Sequence, residues 1–310
     1  MPQFVTFTPN PALDVSTSVD HLVDAHKLRC EAPLMHPGGG GINVARVLHR
    51  FGADVLAVYP AGGPNGERLH GLLQGEGVPD LRLPLAQETR ESFTVHERDS
   101  GREYRFVLPG PSLGSNEWQA CLALLATTSP DWIISSGSLP PGVSPDGHAQ
   151  VARVAKGLGA RMVLDSSGEA LRAALQEGVW LVKPSLRELS QLHGTPLDNA
   201  ERQQQAARQL IADGQAQWVA LSLGAQGAML ITRQQAWTAE ALNVAVASSV
   251  GAGDSFLAAL VWALARELSP ADALATAVAA GSAAVMTAGT ALCEAQSVQD
   301  LRRQVRVRQC

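Results

Sequence analysis

Four stretches between Asp131 and Ile231 constrain the fold more than anything else in this sequence. DWIISSGSLPPG, ARMVLDSSGEAL, VWLVKPSLREL and QWVALSLGAQGAMLI each open on a nearly unbroken apolar run and pass through small or charged residues. A strand with one wet face alternates apolar and polar residues, whereas consecutive apolar residues mean a strand covered on both faces. Strands of that kind separated by helical patterns read as a parallel sheet between two helical layers. DVLAVYPAGG and the helical NGERLHGLLQGEGV after it are an earlier instance of the unit. The expected fold class is therefore α/β, a mostly parallel central sheet flanked by helices, with residues 1–310 forming a single domain. At 45% hydrophobic and 17% charged residues the chain can fill such a core. Ligands of such sheets bind at the carboxyl ends of the strands, so the loops there are the place to look for chemistry.

Two segments break the pattern. Asp14 to Met35 has little helical periodicity, and SFTVHERDSGREYRFVL, Ser92 to Leu108, alternates about a D-S-G turn as a hairpin does. Together, over about residues 12–36 and 89–109, they are expected to form a small β lid over one edge of the sheet. Its apolar face favours pairing with a second copy, a homodimer. The formal charge of -5 offers no basic face for nucleic acid. Arg302, Arg303, Arg306 and Arg308 read as a solvated terminal cluster. Cys30, Cys121, Cys293 and Cys310 are scattered without metal or disulfide spacing, as in a reducing compartment. No apolar run approaches membrane-spanning length, and the first residues carry no basic leader, so a cytoplasmic protein without a membrane partner is expected.

Chemistry is concentrated in a few loops. In SSVGAGDSF, Gly251, Ala252 and Gly253 lead through Asp254 into an apolar segment that reads as a buried helix. Asp254 is either the cap of that helix or a general base beside an anion held by the helix N-terminus, where two glycines let a phosphate approach the backbone. PGGGGINVARVLHRFG places four glycines before a helix that stops at Gly52, with Asn43 in its first turn. The run is a flexible loop or a bare backbone surface for a ligand, and it is not a phosphate loop of the G-x-x-x-x-G-K type. SLGAQG, Ser222 to Gly227, is a plain turn or a cradle of unhindered N–H groups for nucleotide phosphates. Lys183 and Glu188 in LVKPSLRE follow another strand, as a surface pair or as a phosphate ligand and a carboxylate that orients a hydrated magnesium ion. Lys27, Arg29, Arg90 and Arg105 would suit a sugar phosphate if they converge.

The order and wording of these motifs resemble the PfkB family of carbohydrate kinases, with its ribokinase-like fold, over essentially the whole chain. PGGGGINVARVLHRFGADV and SSVGAGDSFLAAL correspond to its two signatures. TPNPALD, KLRCEAP, YRFVLPG, SGSLPPG, DSSGEAL and SLGAQGA point to its phosphosugar branch. The resemblance implies ATP-dependent, magnesium-assisted phosphorylation of the 1-hydroxyl of fructose 6-phosphate, a glycolytic step. Fructose 1-phosphate and tagatose 6-phosphate are the alternative substrates, and a non-catalytic sensor of sugar phosphate or nucleotide is a third reading. The resemblance makes Asp254 the base and Gly251, Ala252 and Gly253 the anion hole. It gives the sugar hydroxyls to Asp14, Gly39, Asn43 and Ser138, and the 6-phosphate to Arg90 with Lys27, Arg29 and Arg105. ATP falls to Lys183, Ser185, Ser222, Gly224, Gly227 and Ser282, and magnesium, through water, to Glu188. A monovalent cation such as potassium falls to Ser248, Val250, Ala284 and Gly289. One departure stands out: the family's N-x-x-E after that lysine is S-x-x-E here, with Ser185 in place of Asn.

Overall fold

The computed structural model describes residues 2–310. Up to the first signature the chain forms β1 (Phe4–Phe7), β2 (Ala12–Val19), β3 (Leu34–Gly38) and α1 (Gly40–Arg50). Then come β4 (Val55–Gly62), α2 (Gly63–Gly75), β5 (Asp80–Leu85), β6 (Arg90–Glu97) and β7 (Arg102–Val107). The regular units follow: α3 (Ser115–Ala126), β8 (Trp132–Ser136), α4 (Gly147–Leu158), β9 (Arg161–Asp165), α5 (Gly168–Glu177), β10 (Val179–Val182), α6 (Leu186–His193), α7 (Ala200–Ala212) and β11 (Ala216–Ser222). The chain closes with β12 (Ala228–Ile231), β13 (Ala236–Ala239), α8 (Ala252–Ala265), α9 (Pro270–Val285), α10 (Ala295–Arg302) and β14 (Val307–Gln309).

Ten strands make the main sheet in the order β14-β13-β12-β11-β10-β9-β8-β1-β4-β5. From β11 to β5 every neighbouring pair is parallel. Successive residues of one strand feed opposite cores, which is why the strands read as continuous apolar runs: Trp132 and Ile134 point to one layer and Ile133 to the other. The first layer is built by α1, α2, α8, α9 and α10, the second by α3 to α7. The stretch QWVALSLGAQGAMLI departs from the strand–helix theme. Its two apolar halves pair antiparallel as β11 and β12, because the five residues between them are too few for a parallel crossover. β13 and β14 extend this antiparallel edge.

Strand order reverses at β1. The chain builds outward through β4 and β5 on one side, then re-enters beside β1 as β8 and proceeds the other way. The crevice at the carboxyl ends of β1 and β8 is therefore the topological switch point. A second sheet, β3-β2-β6-β7, hangs from those same ends, since β2 follows β1 directly and β3 runs straight into α1. β6 and β7 are the expected hairpin, and β2 pairs parallel with β6 so that Asp14 lies opposite Ser92. Phe106, Val107, Leu108 and Leu34 of this region are exposed. Among the described residues no helix is long and apolar enough to cross a membrane, and all four cysteines are free.

Candidate active site

At the start of α8 the structure decides between the two readings of Asp254. The residue that caps the helix is Gly251, in the left-handed region at φ 77°, and no side chain caps the first turn. A Cβ on Gly251 would run into the Leu292 side chain. Asp254 is the third residue of the helix, so it is not a cap. The N–H groups of Ala252, Gly253 and Asp254 lack intrahelical acceptors and carry the positive end of the helix dipole. The Asp254 carboxylate accepts a hydrogen bond from Asn43 Nδ2 at 2.8 Å. Burial, with Asp165 and Asp14 nearby, pushes its pKa up to about 6, against the opposing pull of Asn43 and Lys183.

The glycine run is locked rather than flexible. A Cβ on Gly38 would overlap the Asp14 carboxylate, one on Gly40 the Ser136 hydroxyl, and one on Gly41 the Thr8 hydroxyl and the Phe7 carbonyl. The start of α1 thus passes directly over the ends of β1, β2 and β8, and any side chain in the run would lift it away. Gly39, at φ 106°, turns the chain into the helix. Asp14 is likewise pushed up to about 6 by burial, opposed by a hydrogen bond from the Thr290 side chain and the charges of Arg105, Arg46 and Arg90.

On the other side of Asp254 stands Lys183, nearly buried, with its Nζ 3.0 Å from Asp165. Burial disfavours its charge, but Asp165, Asp254 and Glu188 hold the ammonium above the usual lysine range. A Cβ on Gly253 would sit 3.6 Å from that Nζ, so the ammonium lies against the first turn of α8. Ser185 and Glu188 form a capping box at the start of α6. Ser185 Oγ accepts from the Glu188 N–H at 3.3 Å, and Glu188 accepts from the Ser185 N–H at 2.7 Å. Asn and Ser are both strong caps, so the departure at 185 keeps the helix start intact. Ser222 N–H donates to the Pro184 carbonyl, tying the β11 loop to the Lys183 loop. Gly224 stands in open space at φ 59°, whereas Gly227 is required by the sheet, because a Cβ there would strike the Ala239 carbonyl. Ser282 lies buried in α9.

Arg90 is clamped by the carbonyls of Asn10 (2.8 Å), Leu108 (3.2 Å) and Pro11 (3.4 Å), where the second sheet leaves the main one. Three of its five N–H donors are used there, and its side chain lines a crevice shared with Asn10 and Ser138. That crevice, about 610 Å³, runs along the SLPPG loop. Asn10 Nδ2 donates to Ser138 Oγ at 3.3 Å. His148, wholly buried, braces the loop from below through Ser135 Oγ and the Gly137 carbonyl, and burial lowers its pKa to about 4. Arg105 acts on the Asp14 charge, whereas Lys27 and Arg29 are exposed on the segment between β2 and β3, apart from this cluster. The 247–250 loop reaches the end of α9, where Ala247 and Ser248 N–H donate to the Val285 carbonyl. This sets Ser248 against the Ala284–Val285 end of α9, and Val250 N–H donates to Ser248 Oγ at 3.1 Å. Ser248 Oγ donates to Glu103 of β7 at 2.7 Å, so its side chain is committed to the second sheet.

Two charged residues of this neighbourhood escape sequence reasoning. Asp165 ends β9 in DSSGEAL and looks like any loop carboxylate; its position right after an apolar strand was the available signal. Arg46, inside the glycine-led signature, drew no assignment from the sequence, yet it is completely buried. Among the described residues no three His, Cys, Asp or Glu side chains converge as a metal cage. The Asp165 and Glu188 carboxylates, coupled across Lys183, do present hard oxygen donors of the type magnesium takes through water.

A family-wide profile described as pfkB family carbohydrate kinase matches residues 13–297. The ATP-dependent 6-phosphofructokinase isozyme 2 of Mycobacterium tuberculosis is 44% identical over 300 residues, spanning 96% of this chain and 88% of that one. A crystal structure of phosphofructokinase-2 from Escherichia coli in complex with potassium superposes with a TM-score of 0.93 at 38% identity, covering 98% of this chain and 99% of that one. A tetrameric inhibited form of the same E. coli enzyme gives a TM-score of 0.91 at 38% identity, with coverage of 98% and 99%.

Proposed function

The chain belongs to the pfkB family of carbohydrate kinases, and on that premise we propose that it transfers the γ-phosphoryl group of ATP to the 1-hydroxyl of fructose 6-phosphate, giving fructose 1,6-bisphosphate and ADP. The observation that carries the reading is the placement of Asp254 at the uncapped N-terminus of α8, with Lys183 against the same turn. A base whose pKa lies near 6 is ionised at neutral pH and basic enough to draw a proton from an attacking hydroxyl.

In this reading the sugar lies between the two sheets, its hydroxyls on Asp14, Gly39, Asn43 and Ser138 and its phosphate on the remaining donors of Arg90 with Arg105. The 1-hydroxyl oxygen attacks the γ-phosphorus, its proton passes to Asp254, and the bond to the β–γ bridging oxygen breaks to release ADP. The N–H groups of residues 252–254 and the Lys183 ammonium bear the charge that spreads over the transferred group. Lys183, Ser222, Gly224 and Ser282 border the nucleotide. Magnesium, held through water near Glu188 and Asp165 and by the ATP phosphates, would neutralise phosphate charge. Potassium would take backbone oxygens around Ser248, Val250, Ala284 and Gly289. The second sheet acts as a lid that excludes water from the phosphoryl group, and its exposed Phe106, Val107 and Leu108 pair with a second copy. ATP use and four unpaired cysteines suit the cytoplasm.

Phosphorus NMR of a reaction with ATP and fructose 6-phosphate tests the proposal. A new phosphomonoester at C1 alongside ADP is expected, and fructose 6-phosphate returned unchanged would refute it. Gly38→Ala pushes a methyl group into the Asp14 carboxylate and is expected to cut kcat/KM for the sugar roughly a hundredfold in a folded protein. Steady-state kinetics showing no loss would remove Asp14 from the sugar site. Ser185→Ala should lower unfolding free energy by about 1 kcal/mol, measured in urea, while turnover persists; loss of turnover would give the hydroxyl a direct role with ATP. Phe106→Asp is expected to dissociate the assembly in sedimentation runs, and an unchanged mass would place the interface elsewhere.

A further inference from the structure

Arg46, the seventh residue of α1, is 0% exposed in the midst of apolar neighbours. Its Nε and Nη2 fork onto Glu76 at the end of α2, at 2.9 and 2.6 Å. The other arm, Nη1, reaches three acceptors from three parts of the chain: the Pro37 carbonyl at 3.1 Å, the Thr290 carbonyl at 3.0 Å and Asn43 Oδ1 at 3.4 Å. Pro37 precedes the glycine run, and Thr290 bonds Asp14 through its own side chain. Asn43 donates to Asp254. Each of the two acids that face the cleft is therefore linked to Arg46 through one intervening residue.

We propose that Arg46, seated on Glu76, is a positioning residue for phosphoryl transfer: it fixes the Asn43 amide so that Nδ2 faces Asp254, and it ties the Pro37 and Thr290 backbones to the same anchor. The inference rests on the reading of Asp254 as the base. A guanidinium has only donors, so it must meet the Oδ1 end of the amide, and a carboxylate only accepts, so it must meet the Nδ2 end. Reversing the amide would set N–H against N–H and oxygen against carboxylate. A buried ion pair is a poor source of stability compared with apolar packing. Its value here is that five donors reach two helices, a strand and a loop at once, which no apolar side chain can do.

The orientation has a kinetic signature. Asn43 favours the ionised form of Asp254, so losing its N–H donation raises the pKa of the base and moves the acid limb of kcat to higher pH. Lys183, which follows β10, and Asp165 of β9 also act on Asp254 and are untouched by the substitution, whereas Asp14 of β2, the weakest of the three influences, itself loses the Arg46 charge.

The test compares kcat against pH for the wild-type enzyme, Arg46→Met and Glu76→Gln, with Asn43→Ala alone and combined with Arg46→Met. Arg46→Met is expected to lower kcat roughly tenfold, with the KM for ATP kept within about twofold. It should also move the acid limb up by about half a pH unit. Combined with Asn43→Ala it should shift the limb no further, because the two changes act through one contact. An unmoved acid limb in a folded Arg46→Met enzyme, or a full additional shift in the Asn43→Ala background, would overturn the inference. Should Arg46→Met not fold, Glu76→Gln keeps the cation while weakening its seat; a limb shifted in the same direction supports the inference and an unmoved limb refutes it. Full turnover in Asp254→Asn would instead refute the base reading itself, so the two failures are separable.

Discussion

Asp254→Asn is expected to lower kcat by about a thousandfold while leaving ATP affinity close to normal, because it removes the proton acceptor and keeps the shape. Asn retains an oxygen for the Asn43 N–H, so the start of α8 and its free N–H groups should persist. The same change should stabilise the protein. The Asp254 pKa is raised in the fold to about 6, so the native state binds this proton more tightly than the unfolded chain. The ionised carboxylate therefore costs stability above pH 6, and the cost fades as pH falls toward 4. At pH 8 the variant should gain up to about 3 kcal/mol over the wild type, with the gap closing near pH 4. Turnover assays and thermal melts across pH check both halves. Near-normal kcat would remove Asp254 from the base role, and a lower Tm at pH 8 would mean that the carboxylate holds the helix start together.

Lys183→Met should be the most damaging single change on the nucleotide side. The ammonium is nearly buried and shares its charge with Asp165 at 3.0 Å. Removing it strands the Asp165 carboxylate, at a cost of about 3 kcal/mol, limited by uptake of a proton. It also withdraws positive charge from the turn that faces the transferred phosphoryl, for an expected loss of about a hundredfold in kcat. The double variant Lys183→Met with Asp165→Asn separates the two effects. Stability should largely return, since no lone charge stays buried, while turnover stays low. A double variant with restored turnover would show that Lys183 serves only the fold.

The parallel core was legible because its strands are covered on both faces and cannot hide their apolar runs. The three antiparallel edge strands were not separated from it, since β12 and β13 are as apolar as their neighbours and only the short SLGAQG connection marks the change of direction. The hairpin of β6 and β7 was visible from alternation about its turn. Site residues that follow glycine motifs stood out, because bare backbone is rare and costly. Yet the reason for those glycines differed from expectation: Gly38, Gly40 and Gly41 make room for Asp14, Ser136 and Thr8 of the protein itself. Asp165 and Arg46 escaped because local sequence does not reveal what a charge will meet after folding. Arg46 lies four residues before Arg50, a spacing typical of an exposed helix face, and only the arrival of Glu76 and Thr290 buries it. Ser185 reads as a departure from the family pattern, and the capping box shows what its hydroxyl supplies to the helix start.

The most direct test of the account is kcat/KM by coupled ADP release, with fructose 6-phosphate, fructose 1-phosphate and tagatose 6-phosphate compared side by side. A preference of roughly a hundredfold or more for fructose 6-phosphate is expected, the margin that arises when charged donors must meet a phosphate at one end of the sugar. An equal or greater kcat/KM for either other sugar would contradict it and reassign the arginine-lined crevice, and no turnover on any of the three would contradict the kinase reading itself.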